Sequence, residues 1–284
     1  MRALVALVIL VACNAPSGAA DPSRSPIVFW EIDRPQVRDA SGFGRLPPER
    51  QAKRILTIAS YELATGLPTA PPTLNVYVAG AYPESDKDRV AVFGEPGWTF
   101  VPSLSLLQYF APERPLGLAG GVRSDADALA RVDSVLRPRG LLPGDTEYMR
   151  VVRLPTGWRA SFARRIDGRL DYANKGLAVG MDTNAQVRSI LVRRRPLLEQ
   201  SAYPTRTAQE AWTLVRNGRW LTFDLEDGAP TTPAQVDRFV ARSVDIVYVE
   251  GEVLSPRDIV RPYFVFRDAN DQTVYVSAIA GDLP

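Results

Sequence analysis

Arg123-Ser124-Asp125-Ala126-Asp127-Ala128-Leu129 opens, and Asp182-Thr183-Asn184-Ala185-Gln186 closes, a pattern that returns as Arg206-Thr207-Ala208-Gln209-Glu210-Ala211-Trp212 and Asp268-Ala269-Asn270-Asp271-Gln272. The openings lie 83 positions apart, from 124 to 207, and the closings 86, from 182 to 268, so the two copies differ by about a loop's worth of insertion. Ser124 stands three residues before Asp127, and Thr207 three before Glu210. A hydroxyl that accepts an exposed N–H at a helix start, with an acid reaching back, is a capping box, so each copy begins a helix. Leu129, Val132 and Leu136 continue the first at helical spacing until Pro138 and Gly140; Ala211, Leu214 and Val215 continue the second until Asn217-Gly218. Strand-like runs follow. In the first copy they are 148–154, 158–166, 170–181 and 187–192, with turns at Pro155-Thr156-Gly157 and Asp167-Gly168; in the second they are 244–253, 263–266 and 274–279. Asp-Gly between alternating apolar flanks is a hairpin signal. The implied class is α+β, with tandem helix-plus-antiparallel-meander modules at 122–200 and 201–284.

An N-terminal α/β segment, 27–121, precedes them. Ile27 to Ile32 is β-branched and aromatic and predicts a strand. Pro47-Pro48-Glu49, then Ile55, Ile58, Ala59 and Leu63 up to Gly66, predicts a helix. Residues 74–78 alternate as a strand, shorter strands are expected at 90–93 and 98–101, and a helical turn at 103–109. In the second module, Gln235 to Val240 reads as a short amphipathic piece.

The first residues give an address. Arg2 is followed by an unbroken apolar run from Ala3 to Val11, too short to span a bilayer and suited to a signal-peptide core. It leads into Leu10-Val11-Ala12-Cys13, which resembles the bacterial lipobox. On this reading residues 1–12 are removed, Cys13 is lipidated, and 13–26 form a flexible tether rich in small residues and proline. Cys13 is the single cysteine of the chain, so a disulfide would need a partner from another molecule. The expectation is an exported protein, anchored at the cell membrane and facing the extracytoplasmic side. A formal net charge of +2 argues against nucleic acid as a partner.

A capped helix, an antiparallel meander and an Asx-rich turn before the last strand, in tandem on an exported chain, resemble the PepSY-like modules. They also resemble the extracytoplasmic regulators of sensor histidine kinases. The residues that carry the resemblance are Asp182 to Val187, Tyr203-Pro204-Thr205-Arg206-Thr207 with Glu210-Ala211-Trp212, and the tail Arg261 to Phe266 with Val276 to Ile279. The resemblance covers roughly 124–280. It implies a module that binds or regulates another protein and contributes no catalytic residues.

Histidine is absent. Ser-His-Asp and Cys-His nucleophilic catalysis, imidazole zinc sites and histidine bases are therefore excluded. Neither cofactor nor metal is expected. Asp182-x-Asn184-x-Gln186 and Asp268-x-Asn270-x-Gln272 lack the glycine and glutamate an EF-hand loop requires, so Asp182, Asn184, Asp268 and Asn270 read as structural turn residues. Carboxylate chemistry is the alternative: Glu31 and Asp33 would face the same side of a strand about 6 to 7 Å apart, near the inverting-glycosidase spacing, with Trp30 or Trp98 to stack a sugar. Finally Arg193-Arg194-Arg195, with Arg188 upstream and Arg164 and Arg165 on the neighbouring hairpin, suggest a basic patch for an unknown protein or an anionic envelope polymer. The leading expectation is a binding or regulatory lipoprotein without catalysis; the alternatives are a carbohydrate-active protein of the envelope and a structural envelope protein.

Overall fold

The computed structural model describes residues 35–38, 43, 46, 56–82, 97–101, 105–111, 113–117, 119–142, 146–171, 176–222, 234–250 and 257–281. Cys13, the strands expected at 27–32 and 90–93, and the Trp30, Glu31 and Asp33 group lie outside them.

In chain order the strands before the first helix are β1 (Gln36–Val37), β2 (Leu56–Ile58), β3 (Tyr61–Leu63), β4 (Thr73–Gly80), β5 (Trp98–Val101) and β6 (Leu106–Phe110). Helix α1 (Asp125–Leu136) precedes β7 (Thr146–Leu154), β8 (Gly157–Ile166), β9 (Arg169–Leu170), β10 (Leu177–Asp182), β11 (Val187–Arg193) and β12 (Leu197–Pro204). Helix α2 (Ala208–Arg216) precedes β13 (Ala234–Val236), β14 (Phe239–Ala241), β15 (Ser243–Glu250), β16 (Arg257–Arg267) and β17 (Thr273–Ser277). Among the described residues the class is α+β, mostly sheet with two α-helices.

Both helices start where their capping residues stand. Ser124 Oγ accepts from the Asp127 N–H at 3.2 Å. Thr207 makes the full capping box, its Oγ1 accepting from Glu210 N at 3.2 Å while the Glu210 carboxylate accepts from Thr207 N at 2.8 Å.

The strands form two large sheets. One runs β5-β6-β11-β10-β8-β7, with β9 on β8; the other runs β1-β12-β4-β16-β15, with β17 also on β16. Each helix is followed by a meander, but neither run makes a sheet by itself, so self-contained tandem helix modules are not what the chain builds. The first sheet takes β5 and β6 from before its helix, and the second takes β1 and β4 from farther back and β12 from before α2. Residues of the 27–121 segment are thus shared between both sheets. Strands β4 and β12 are antiparallel neighbours, Gly80 N donating to the Pro196 carbonyl at 3.0 Å, so everything from β5 to β11 is inserted between two adjacent strands of the second sheet.

Alternation sets the first core. Across the first sheet, Val151, Ala160, Val179, Ile190, Tyr109 and Trp98 lie in one row and Tyr148, Phe162, Leu177, Val192, Leu107 and Phe100 in the next, and α1 presses Ala128, Val132, Val135 and Leu136 onto this face. The second core joins Trp212, Ala211 and Val215 of α2 to Phe264, Phe266, Val274 and Val276. Strand β16 changes neighbours in its middle: 257–260 pair with β4 and 263–267 with β17. The change falls around Pro262, which has no N–H to give a ladder.

Three expected elements differ. Where helical spacing from Pro47 predicts a helix, β2 and β3 pair in parallel with β13 and β14. The amphipathic piece 235–240 is the other half of that pairing. Leu56 and Ile58, then Tyr61 and Leu63, stand two apart on either side of a break at Ala59-Ser60, and the apolar set packs on the second core as strands. The helical turn expected at 103–109 is strand β6, whose Leu107 and Tyr109 are buried while Leu106 and Gln108 are half-buried. Of residues 170–181, read as one strand, Leu170 ends β9 and 177–181 belong to β10, while 172–175 lie outside the described residues.

Candidate functional site

The triple arginine is the point where the two sheets are joined. Arg193 ends β11, and Arg194, Arg195 and Pro196 form the crossing to β12 of the other sheet. Arg193 N donates to the Gly176 carbonyl at 2.8 Å and Arg194 N to the Ser105 carbonyl at 3.2 Å. Arg195 turns its guanidinium inward, Nε 3.1 Å from Glu250 Oε1 on β15, with Nη2 3.4 Å from the Ala79 carbonyl of β4. From the other side Arg164 of β8 donates through Nε to Asp171 at 3.0 Å and through Nη1 to the Arg195 carbonyl at 2.8 Å, with Nη2 3.7 Å from Glu250. None of these four charged side chains is more than 3% exposed. Two carboxylates and two guanidiniums therefore close on one another in the interior, where a charge is tolerated only when paired. Arginine suits the place because it stays charged and offers several donors in a fixed plane.

A second layer of polar contacts lies beside it. The Asp167-Gly168 hairpin tip reaches the second sheet: Asp167 accepts from Asn75 Nδ2 at 3.0 Å and lies 3.1 Å from the Tyr248 hydroxyl, and Asp171 pairs with Tyr248 as a parallel bridge. Burial, with the Asp167 charge adding to it, holds the Tyr248 phenol protonated far above its usual range. Ile166, Tyr77, Leu197 and Val260 pack around Tyr248.

The expected basic surface patch is therefore corrected at three of its six positions. Arg164, near the end of β8, and Arg194 and Arg195, in the connection between the sheets, are buried. Arg193 is half-buried, its pKa lowered by burial and held back by the Glu250 charge. Arg188 is taken up by Asp182, 2.8 Å from Nε. Arg165 is exposed and pairs with Glu147.

The Asx turns carry the same bonds twice. Asp182 Oδ1 accepts from Asn184 N at 2.8 Å and Gln186 N at 3.0 Å, while Asp268 Oδ1 accepts from Asn270 N at 2.8 Å and Gln272 N at 2.9 Å. Ala185 and Asp271, both at φ 58°, occupy the same left-handed place in each. Trp98 is not available to stack a sugar: it is 8% exposed, with its ring 5.0 Å from that of Tyr109 in the first core. Among the described residues no group of three or more acidic or thiol side chains is placed to hold a metal.

What sequence reasoning missed is the partnership of these charges. Glu250 ends an apolar strand, and Asp171 follows an Asp-Gly hairpin; neither carries a motif. The signal that was present is a charged residue inside an otherwise apolar run, as in Tyr248-Val249-Glu250.

The architecture is that of a two-sheet α+β protein in which one helix-backed sheet is inserted between neighbouring strands of another. No protein family and no curated protein matches the chain. Among solved structures it is similar to YycH from Bacillus subtilis, at 12% identity and a TM-score of 0.41, over 73% of this chain and 53% of that one. The chain thus spans about half the length of YycH. It is also similar to the YpeB C-terminal domain of Bacillus megaterium, at 9% identity and a TM-score of 0.36, over 74% of this chain and 87% of that one. A third likeness is to an uncharacterized protein from Eubacterium rectale, at 9% identity and a TM-score of 0.37, over 90% of this chain and 97% of that one. Similarity at this level carries no inference about activity. No helix among the described residues is long and apolar enough to cross a membrane.

Proposed function

We propose that the chain is an extracytoplasmic binding or regulatory lipoprotein, tethered to the membrane through a lipid on Cys13, and that its two sheets are a rigid platform for another macromolecule, without a catalytic role. The observation that carries this reading is the seam. Asp171 and Glu250, the buried carboxylates at the junction, are closed by Arg164 and Arg195 within 3.0 to 3.7 Å. Acid–base catalysis needs a carboxyl that changes its proton beside a substrate; these two are committed to joining the sheets. A fixed relation between two broad sheets serves the presentation of surfaces. The two helix-and-Asx-turn passages are, on this reading, descendants of one module, later built into a shared frame.

The test uses the full chain, affinity-tagged at its C-terminus, in the cells that make it. Recovery in the membrane fraction, shifted to the soluble fraction by Cys13→Ser, is the expected result for the anchor, and a stoichiometric protein in the purified membrane complex is the expected result for binding. Hydrolysis of wall polysaccharide by the purified protein, lost in Glu31→Gln and Asp33→Asn, would replace this reading with the carbohydrate-active one. Neither partner nor turnover would leave a structural envelope protein.

A further inference from the structure

Arg193 closes β11, and its register fixes where its side chain goes. Its neighbour Val192 lies in the row of Phe100, Leu107 and Leu177, which faces α1. Side chains alternate across a strand, so Arg193 points to the other face of the sheet. Its own row holds Leu106 and Val101, and Leu191 stands two residues back on the same face. These three apolar side chains are half-buried. On the opposite side the strand neighbour is Gly176, whose carbonyl accepts from Arg193 N at 2.8 Å and which adds no side chain.

The other guanidiniums at the junction are answered from within the fold. Arg164 meets Asp171 and the Arg195 carbonyl, Arg195 meets Glu250 and the Ala79 carbonyl, and Arg194 is engaged as well. Arg193 is the exception: its Nε is closed off from solvent and meets no acceptor. Among the described residues no carboxylate lies within ion-pair distance of it. Glu250, already shared between Arg164 and Arg195, acts on it only through its field. An N–H that has given up water without finding an acceptor costs free energy, and a guanidinium cannot shed its proton to escape the cost. The residue is half-buried, so it is still reached from outside.

We propose that Arg193 is the binding site for a single carboxylate of a partner protein, an acidic side chain or a chain terminus set among apolar atoms; the proposal rests on the binding reading above and names its contact. A planar guanidinium holds a carboxylate through two N–H groups at once, and Nε with one Nη forms such an edge. Nε makes no hydrogen bond where it is stowed, so the side chain turns to present that edge without breaking one. With Arg164 and Arg195 already neutralised, one guanidinium balances one negative charge, which fits a carboxylate better than a doubly charged phosphate. Val101, Leu106 and Leu191 favour an anion with carbon around it, because they gain only from a partner that removes them from water.

The first measurement is NMR of the purified chain carrying Cys13→Ser, following the Arg193 Nε–Hε resonance, assigned by its loss in Arg193→Met, as sodium butyrate is added at constant ionic strength. The expected result is a saturable shift, with butyrate raising the melting temperature of the chain but not of Arg193→Met. In chloride alone Arg193→Met should melt no lower than its parent, because the guanidinium it removes has no partner to lose. An unmoved resonance would overturn the site, and so would a lower melting temperature in Arg193→Met, which would show the guanidinium already engaged. A shift produced by phosphate at lower concentration than by butyrate would overturn the carboxylate as the ligand class. The second measurement is recovery of the tagged full chain from its membrane complex. A protein held by the wild type and weakened about tenfold or more by Arg193→Met is the expected result. A protein held equally by both would overturn Arg193 as its contact and leave the binding reading standing. No protein from either would overturn the protein source together with the binding reading.

Discussion

At the residue scale, like residues meet opposite fates. Three consecutive arginines look like surface because a guanidinium is costly to bury without a partner; the carboxylates that meet them stand far along the chain, and no local pattern announces them. The Asx turns were legible because their bonds are local, each aspartate answering the N–H groups two and four residues on. Asp268→Ala leaves the Asn270 and Gln272 N–H groups without that acceptor in a part-buried turn. We expect a loss of about 1 to 3 kcal/mol in urea unfolding; a change below about 0.5 kcal/mol would mean that water replaces the carboxylate. Asp182 adds a pH dependence. Burial raises its pKa, but the Gln186 N–H, the Arg188 guanidinium and the Asn184 N–H together outweigh it and hold the folded value below the usual one. A depressed folded pKa contributes stability that is fully present above the unfolded value, about 3.9, and is lost as pH falls through the folded value. Asp182→Asn should therefore flatten the acid limb of a stability-against-pH curve in that window, and an unchanged limb would refute the assignment.

At the element scale, the legible parts are those with caps and strict alternation. Both helices and the meanders after them follow from Ser124, Thr207, Asp167-Gly168 and the apolar period. Strands β2 and β3 were hidden because Ile55, Ile58, Ala59 and Leu63 fit a helical period as well as Leu56, Ile58, Tyr61 and Leu63 fit two short strands, and the choice is made by β13 and β14, far off in the chain. No strand was expected at β12: Leu197 to Ala202 has no clean alternation, and its pairing with β4 is what orders it. Helix α2 offers the direct test of local encoding. Thr207→Ala removes the acceptor for Glu210 N, and about 1 kcal/mol of stability should go with it, while Thr207→Ser should keep most of it. Equal losses in both variants would show that the methyl packing of Thr207, and not its hydroxyl, matters.

At the scale of the whole molecule, the repeat pattern is visible in the sequence while the assembly is not, because insertion of one sheet between β4 and β12 depends on contacts between residues more than a hundred positions apart. We expect the seam to make the two sheets one cooperative body. Glu250 is its central counter-charge, facing both Arg164 and Arg195 from the second sheet. Glu250→Ala leaves two buried guanidiniums with Asp171 as the carboxylate that remains beside them among the described residues, and removing one partner of a buried charge pair costs about 3 to 5 kcal/mol. Because that cost falls on the junction and not on either core, it should also divide the unfolding. In the wild type, native-state hydrogen exchange should show amides of β10 and β11 and amides of β4 and β12 merging into a single opening as denaturant rises. In Glu250→Ala the two sets should open at different denaturant concentrations, the first sheet keeping the protection given by α1 while the second loses its hold on Ala79 and Tyr248. Glu250→Gln, which keeps the shape and a hydrogen-bonding carbonyl, should lie between them. If Glu250→Ala lowers stability by less than about 1 kcal/mol, or if both sheets still open together, the joint between them is carried by the apolar packing of Ile166, Tyr77 and Tyr248, and the ion cluster is a passenger in it.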